Sequence, residues 1–194
     1  MAPDGPTFRL LVGLGNPGRE YSDTRHNVGF MVLDRLAAAL GVPFRADKKW
    51  KADLAIAGDV FLLKPQTYMN LSGESVGEIA RFYKIAPARV LVVLDDMALP
   101  LGRLRIRERG SHGGHNGLRS ILDHLGTQDV PRLRVGIGEA PDAATGHVLG
   151  RFAVDERPLV AQSVERAVEA IRFAQEHDLP SAMNRFNTNP TLPN

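Results

Sequence analysis

Residues 89–96 read RVLVVLDD, an arginine followed by five apolar residues and two carboxylates. A strand with no polar residue at its central positions has no face to offer to water. It belongs in a sheet covered on both sides, the setting of parallel strands joined by helices. Asp95 and Asp96 then fall at the C-terminal end of that strand, where open α/β sheets carry their ligand crevices.

The flanking segments keep to this plan. FRLLVGLG (8–15) is expected to be a buried strand running into a glycine turn, and VGFMVLDRLAAAL (28–40) has helical spacing that stops at Gly41. DLAIAG and DVFLLKP pair as a hairpin around Gly58-Asp59, and SGESVGEIARFYK follows as a helix capped at Ser72. HNGLRSILDHLG reads as a helix, RLRVGIG as a strand, and 156–176 as a long amphipathic helix with Pro158 in its first turn. The expected fold is therefore α/β: a single domain over residues 1–187, with a twisted mixed β-sheet and helices on both faces. Residues 188–194 are expected to form a flexible C-terminal tail.

Composition removes several classes of function. None of the 194 residues is cysteine, which excludes disulfides, thiolate nucleophiles and zinc held by sulfur. No apolar run approaches the ~18 residues of a membrane span, and the start MAPDGPTF lacks the basic and apolar parts of a secretion signal, so a cytoplasmic protein is expected. A net charge of +2 argues for no anionic partner by itself; only the placement of the basic residues can.

Gly13, Gly15 and Gly18 have the G-x-G-x-x-G spacing of a dinucleotide-binding turn. Such a turn requires the helix to begin at the glycines and an acidic residue to end the next strand. Here Pro17 and the run REYSDTRHN delay the helix, and Asp34 lies inside the helical pattern. The glycines are instead expected to let the backbone turn sharply and approach a ligand closely.

His26 stands just ahead of the first helix, with Asn16, Tyr21 and Asn27 near it in sequence. A carboxylate delivered at the end of RVLVVL would hold its imidazole in one tautomer and stabilise the protonated form, making a general base near neutral pH. SHGGHNG (111–117) offers His112, His115 and Asn116 in a glycine-rich loop, and TYMNLSG (67–73) offers Tyr68, Met69 and Asn70 before a helix. None of these histidines falls at a recognised metal-site spacing, so no metal is expected. Asn16, Asn70 and Asn116 sit at loop-to-element junctions, where a carboxamide can both donate to and accept from an ester or peptide. RLRIRER places Arg103, Arg105, Arg107 and Arg109 on one strand face, and Arg132 and Arg134 repeat the alternation, with Lys48, Lys49 and Lys51 as a possible extension. Such a stripe either discourages edge aggregation or tracks phosphates.

The segments GLGNPGREYSDTRHNVG, KPQTYMNLSG, LVVLDDMALPLG, GGHNGLRSI and RLRVGIG, in this order, make the chain resemble bacterial peptidyl-tRNA hydrolases over nearly its whole length. The resemblance implies a monomeric, metal- and cofactor-independent cytoplasmic enzyme. Its partner is peptidyl-tRNA, held at the CCA end and the phosphate backbone, and it cleaves the ester to the 3′-terminal ribose. It implies His26 as base and Asp95 as its carboxylate, with substrate bound by Asn70, Asn116, Tyr21, Tyr68 and Met69. Asn16 would discriminate blocked from free amino groups, His115 would be a further site histidine, and Arg107 and Arg134 would touch tRNA phosphate. Two departures are visible: Arg107 replaces a frequent lysine, and Ala98 a usual acidic residue. An NAD-dependent oxidoreductase and a noncatalytic RNA-binding module remain as alternatives. The binding module does not require His26 and Asp95 to converge, and the oxidoreductase does not need the arginine stripe.

Overall fold

The computed structural model describes residues 5–139 and 144–188. Among them are seven strands: β1 Leu10–Gly13, β2 Arg45–Asp47, β3 Ala52–Ala57, β4 Val60–Pro65, β5 Val90–Asp96, β6 Leu104–Arg107 and β7 Arg132–Gly136. They form one sheet in the order β2-β3-β4-β1-β5-β7-β6. The four inner strands β4, β1, β5 and β7 are parallel, and the antiparallel members β3, β2 and β6 lie outside them. Helices α1 Val28–Leu40, α5 Arg157–Glu176 and α6 Leu179–Phe186 cover one face, α2 Ser72–Phe82 and α3 Asn116–Leu125 the other, and a short α4 Ala144–Val148 follows β7.

Two apolar cores result, one on each side of the sheet. Leu11, Leu62, Leu91 and Val93 pack against Val32 and Leu36 of α1 and Ala167 and Ile171 of α5. Leu10, Leu63, Val92 and Leu94 pack against Val76 and Ile79 of α2 and Leu118 and Ile121 of α3. The five apolar residues of β5 are each no more than 2% exposed. Burial on this scale is worth about 1.5–3 kcal/mol per large side chain, so the unbroken run in RVLVVLDD is what demands helices on both faces.

The close approach of α1 to the sheet explains the glycines. A Cβ on Gly13 would lie 2.4 Å from the Gly29 carbonyl oxygen, and one on Gly29 would lie 2.5 Å from that of Val93. A Cβ on Gly15 would meet the Phe30 ring at 2.8 Å. Gly13 and Gly15 therefore serve helix–sheet packing rather than a ligand, which corrects the expectation; only Gly18, with φ 104°, is a turn glycine. The helix starts at Val28, ten residues beyond Gly18, and its first turn packs directly on Gly13 and Leu14, filling the place a pyrophosphate would take.

Other expectations change locally. Ser72 does not cap α2: it is the first helical residue, and its hydroxyl donates to the Met69 carbonyl within a preceding 3₁₀ turn. β6 is only four residues long, so Arg105 and Arg107 alone share its exposed face, and Arg109 turns away beside Asp129. Arg132 is fully buried and contributes nothing to a surface patch. Lys48, Lys49 and Lys51 flank β2 and β3, at the opposite edge of the sheet from β6, so they cannot extend the arginine stripe. Residues from 189 of the expected tail lie outside the described residues. Among those described, no helix is long and apolar enough to cross a membrane.

Candidate active site

The chain leaves β1 through α1 to build β2–β4 on one side, then returns through α2 to place β5 on the other. This reversal opens a crevice beyond the C-terminal ends of β1 and β5. His26 enters it from a 3₁₀ turn, Arg25–Asn27, held just ahead of α1. Its neighbour Arg25 secures that turn: the guanidinium donates to both carboxylate oxygens of Glu156, at 3.1 and 2.7 Å, and to the Ile137 carbonyl at 3.2 Å. Asp95 arrives at the end of β5, 4% exposed.

The two meet although they are 69 residues apart in sequence. His26 Nδ1 lies 2.9 Å from each Asp95 oxygen, and His115 Nε2 lies 2.8 Å from Oδ1. Burial alone would push the Asp95 carboxyl up, but His115 and then His26 outweigh it and hold the group well below the usual carboxylate range. Asp95 is thus ionised throughout the neutral range and can only accept, so the His26 proton sits on Nδ1 and Nε2 carries the free lone pair. Sequence left the choice of nitrogen open; this contact leaves Nε2 as the one facing away from the carboxylate.

Asn16 and Asn27 form a closed pair. Asn27 Oδ1 accepts from the Asn16 backbone N–H at 2.8 Å, and its Nδ2 donates to the Asn16 carbonyl at 2.9 Å. Asn16 Oδ1 in turn accepts from the Met69 backbone N–H at 2.9 Å. The Asn16 carboxamide therefore lines the cleft in a fixed orientation, with its Nδ2 donors uncommitted among the described residues. Met69 is buried, so its contribution is to pack this junction.

The far wall is the loop before α3. His115 is the residue preceding that helix, and its Nδ1 accepts from the Gly117 and Leu118 backbone N–H groups at 3.2 and 3.3 Å. Buried Arg132 pegs the loop from below, donating to the Val130 carbonyl at 2.8 Å and the Ser111 carbonyl at 3.0 Å. Burial and the neighbouring Arg134 and Arg107 push its guanidinium down to about 10. Arg134 lies at the cleft rim, 3.4 Å from Asp96, and stands opposite Arg105 in the β6–β7 ladder. Arg107, opposite Arg132, is one step farther from the cleft. The Ala98 backbone N–H donates to Asp96 Oδ1 at 2.9 Å, holding the turn after β5 without an acidic side chain at that position.

The cleft thus gathers Asn16, His26, Asp95, His115, Asn116 and Arg134. Asn116 also borders a neighbouring cleft lined by Asn70. Tyr21 sits in the turn before His26 and Tyr68 is largely exposed; neither lines the first cleft. Sequence reasoning missed Leu149 and Val148 as an apolar wall, and Arg25–Glu156 as the anchor of the histidine turn. No local pattern announces either, because the partners are distant in the chain. His26, Asp95 and His115 also place their ligand atoms within 4.8 Å of one another, a composition that suits a divalent transition metal and that chain spacing could not reveal.

Known proteins match this chain along almost its entire length. The sequence profile of the family described as peptidyl-tRNA hydrolase matches residues 10–193. A peptidyl-tRNA hydrolase of Akkermansia muciniphila is 49% identical over 189 residues, covering 96% of this chain and 99% of the relative. One from Elusimicrobium minutum is 48% identical over 185 residues, covering 93% and 99%. The crystal structure of peptidyl-tRNA hydrolase from Acinetobacter baumannii superposes with a TM-score of 0.89 at 38% identity, covering 96% of this chain and 98% of that one. The chain belongs to the peptidyl-tRNA hydrolase family.

Proposed function

We propose that this chain hydrolyses the ester between a peptide and the 3′-terminal ribose of tRNA, using water activated by His26. The observation that carries the mechanism is the contact of His26 Nδ1 with both Asp95 oxygens at 2.9 Å, at the mouth of the crevice. An ester is activated enough for one positioned base and water, which suits a chain without cysteine. As water attacks the ester carbonyl, its proton passes to His26 Nε2, and Asp95 stabilises the imidazolium. The tetrahedral oxyanion then collapses, the ribose oxygen leaves, and it takes that proton back from His26.

The oxyanion calls for N–H donors, and the carboxamides supply them: Asn16 in the cleft, Asn116 shared between the two clefts, and Asn70 beyond it. Removing such a donor typically costs on the order of 10²-fold in rate or more. Tyr68 precedes Asn70 on the same turn, and Tyr21 precedes His26, as contacts for the peptidyl or CCA moiety, while buried Met69 supports that turn from beneath. Arg134 and Arg107 serve the phosphate backbone. The cytoplasm, where translation leaves such substrates, is the compartment this reading assigns, and a monomer is sufficient for it.

The test is release of tRNA from N-acetyl-aminoacyl-tRNA in the presence of EDTA. Turnover under chelation is the expected result. Binding without turnover would reduce the chain to an RNA-binding module, and activity that disappears with EDTA would put a metal in the mechanism. Unblocked aminoacyl-tRNA should be spared, and hydrolysis of it at an equal rate would remove the discriminating role given to Asn16.

A further inference from the structure

Two imidazoles share one carboxylate in this site, and only one of them is required as a base. The second is constrained at both ends of its ring. His115 Nδ1 accepts the Gly117 and Leu118 amides at the start of α3, while Nε2 reaches Asp95 Oδ1 at 2.8 Å. A neutral imidazole has one N–H and one lone pair. With Nδ1 engaged as an acceptor by two helix amides, the proton must lie on Nε2, pointing at the carboxylate.

We infer that His115 is a positioning residue whose role as the N-cap of α3 locks it as the neutral Nε2–H tautomer, making it a standing donor to Asp95 that holds the carboxylate for His26. Protonating His115 would place a third N–H against the helix amides and lose the cap. Binding a metal through Nε2 would demand the same rearrangement, since that nitrogen has no lone pair to give. The cluster of His26, Asp95 and His115 therefore handles protons although its composition suits a metal. Both imidazoles, with ring centroids 5.0 Å apart, thereby present an N–H to the shared carboxylate.

The other groups facing this pair are already committed. Asp96 is paired with Arg134, and His112 Nδ1 accepts the Gly114 N–H at 3.0 Å. Without the His115 donor, the whole negative charge of Asp95 falls on His26. The imidazolium is then favoured and less neutral base remains at a given pH.

This inference rests on the reading of His26 as the base, and its test has one arm that does not. In ¹⁵N NMR of the wild-type protein, His115 should keep an unprotonated Nδ1 and a protonated Nε2 from about pH 5 to about pH 9. A protonated Nδ1 in that range overturns the proposal whatever His26 does. In the second arm, His115→Asn keeps a side-chain oxygen able to cap α3 but is too short to reach Asp95. The acid limb of its kcat/KM profile should move up by about one pH unit, an almost tenfold loss on that limb and a smaller one on the plateau. A loss of rate with an unmoved limb would show that His115 merely supports the loop, and would refute the inference.

Discussion

Replacing Asp95 with asparagine is nearly isosteric, yet the site leaves that side chain little choice of orientation. Aspartate offers two acceptors, whereas asparagine offers one acceptor and one donor. The locked Nε2–H of His115 takes the acceptor at the Oδ1 position, 2.8 Å away. The new amide group then takes the Oδ2 position, 2.9 Å from His26 Nδ1, which is equally close to the retained oxygen at Oδ1. The shared oxygen is already taken by His115 and the amide N–H opposes a proton on Nδ1, so the balance shifts toward the His26 tautomer that accepts at Nδ1 and carries its proton on Nε2, the atom needed to receive one from water. Losing the ionic hydrogen bond alone would cost about 1.5–3 kcal/mol, a tenfold to roughly hundredfold effect. Blocking the base removes the general-base contribution as well, so the expected fall in kcat/KM is on the order of 10³-fold, with substrate binding little changed. The assay is single-turnover release of tRNA from N-acetyl-aminoacyl-tRNA. Adding His115→Asn to this variant frees the asparagine to rotate and present its oxygen to His26. A substitution that slows the wild type should then speed the variant. A single variant within about threefold of wild type, or a double variant slower still, would refute the reasoning.

Three further outcomes follow from the packing and the charges. Gly29→Ala would set a Cβ 2.5 Å from the Val93 oxygen and 2.6 Å from the Leu14 nitrogen, so α1 must back away at a cost of about 1–3 kcal/mol, lowering both Tm and kcat; an unchanged Tm would contradict the close approach. Replacing Arg107 and Arg134 together should lower the slope of log K against log salt by roughly 1.5 while sparing the chemical step, and an unaltered slope would remove them from the tRNA footprint. The hydrogen bond from Arg25 holds the Glu156 carboxyl below its usual range. Its contribution is therefore present above the unfolded carboxylate value and is lost as pH falls through the folded one. Glu156→Gln should cost about 1 kcal/mol of stability at pH 7 and nothing once both values are passed; an equal loss at both pH values would count against the ion pair.

What sequence could and could not show follows from the range of the forces involved. The apolar run in β5, the helical period of 28–40 and the Gly58-Asp59 turn are local patterns, and each became the expected element. β2 is too short to carry a period, and α6, with Pro180 in its first turn and an Asp178 cap, was hidden next to a polar C-terminus. The glycines were assigned to a ligand because the real partner of Gly13, the Gly29 backbone, is visible only once α1 lies on the sheet. The arginine stripe shrank because alternation gives direction but not burial, and Arg132 points into the protein. The strand-end rule made Asp95 legible at the crevice, and the family resemblance paired it with His26. The tautomers were not, since they depend on the amides that His115 caps.

The measurement that bears most directly on the whole account is hydrolysis by His26→Ala at saturating N-acetyl-aminoacyl-tRNA, with tRNA affinity determined on the same preparation. Affinity should stay close to wild type while the rate falls by about 10²–10⁴-fold. Turnover at a near wild-type rate would contradict the assignment of the base and everything built on it.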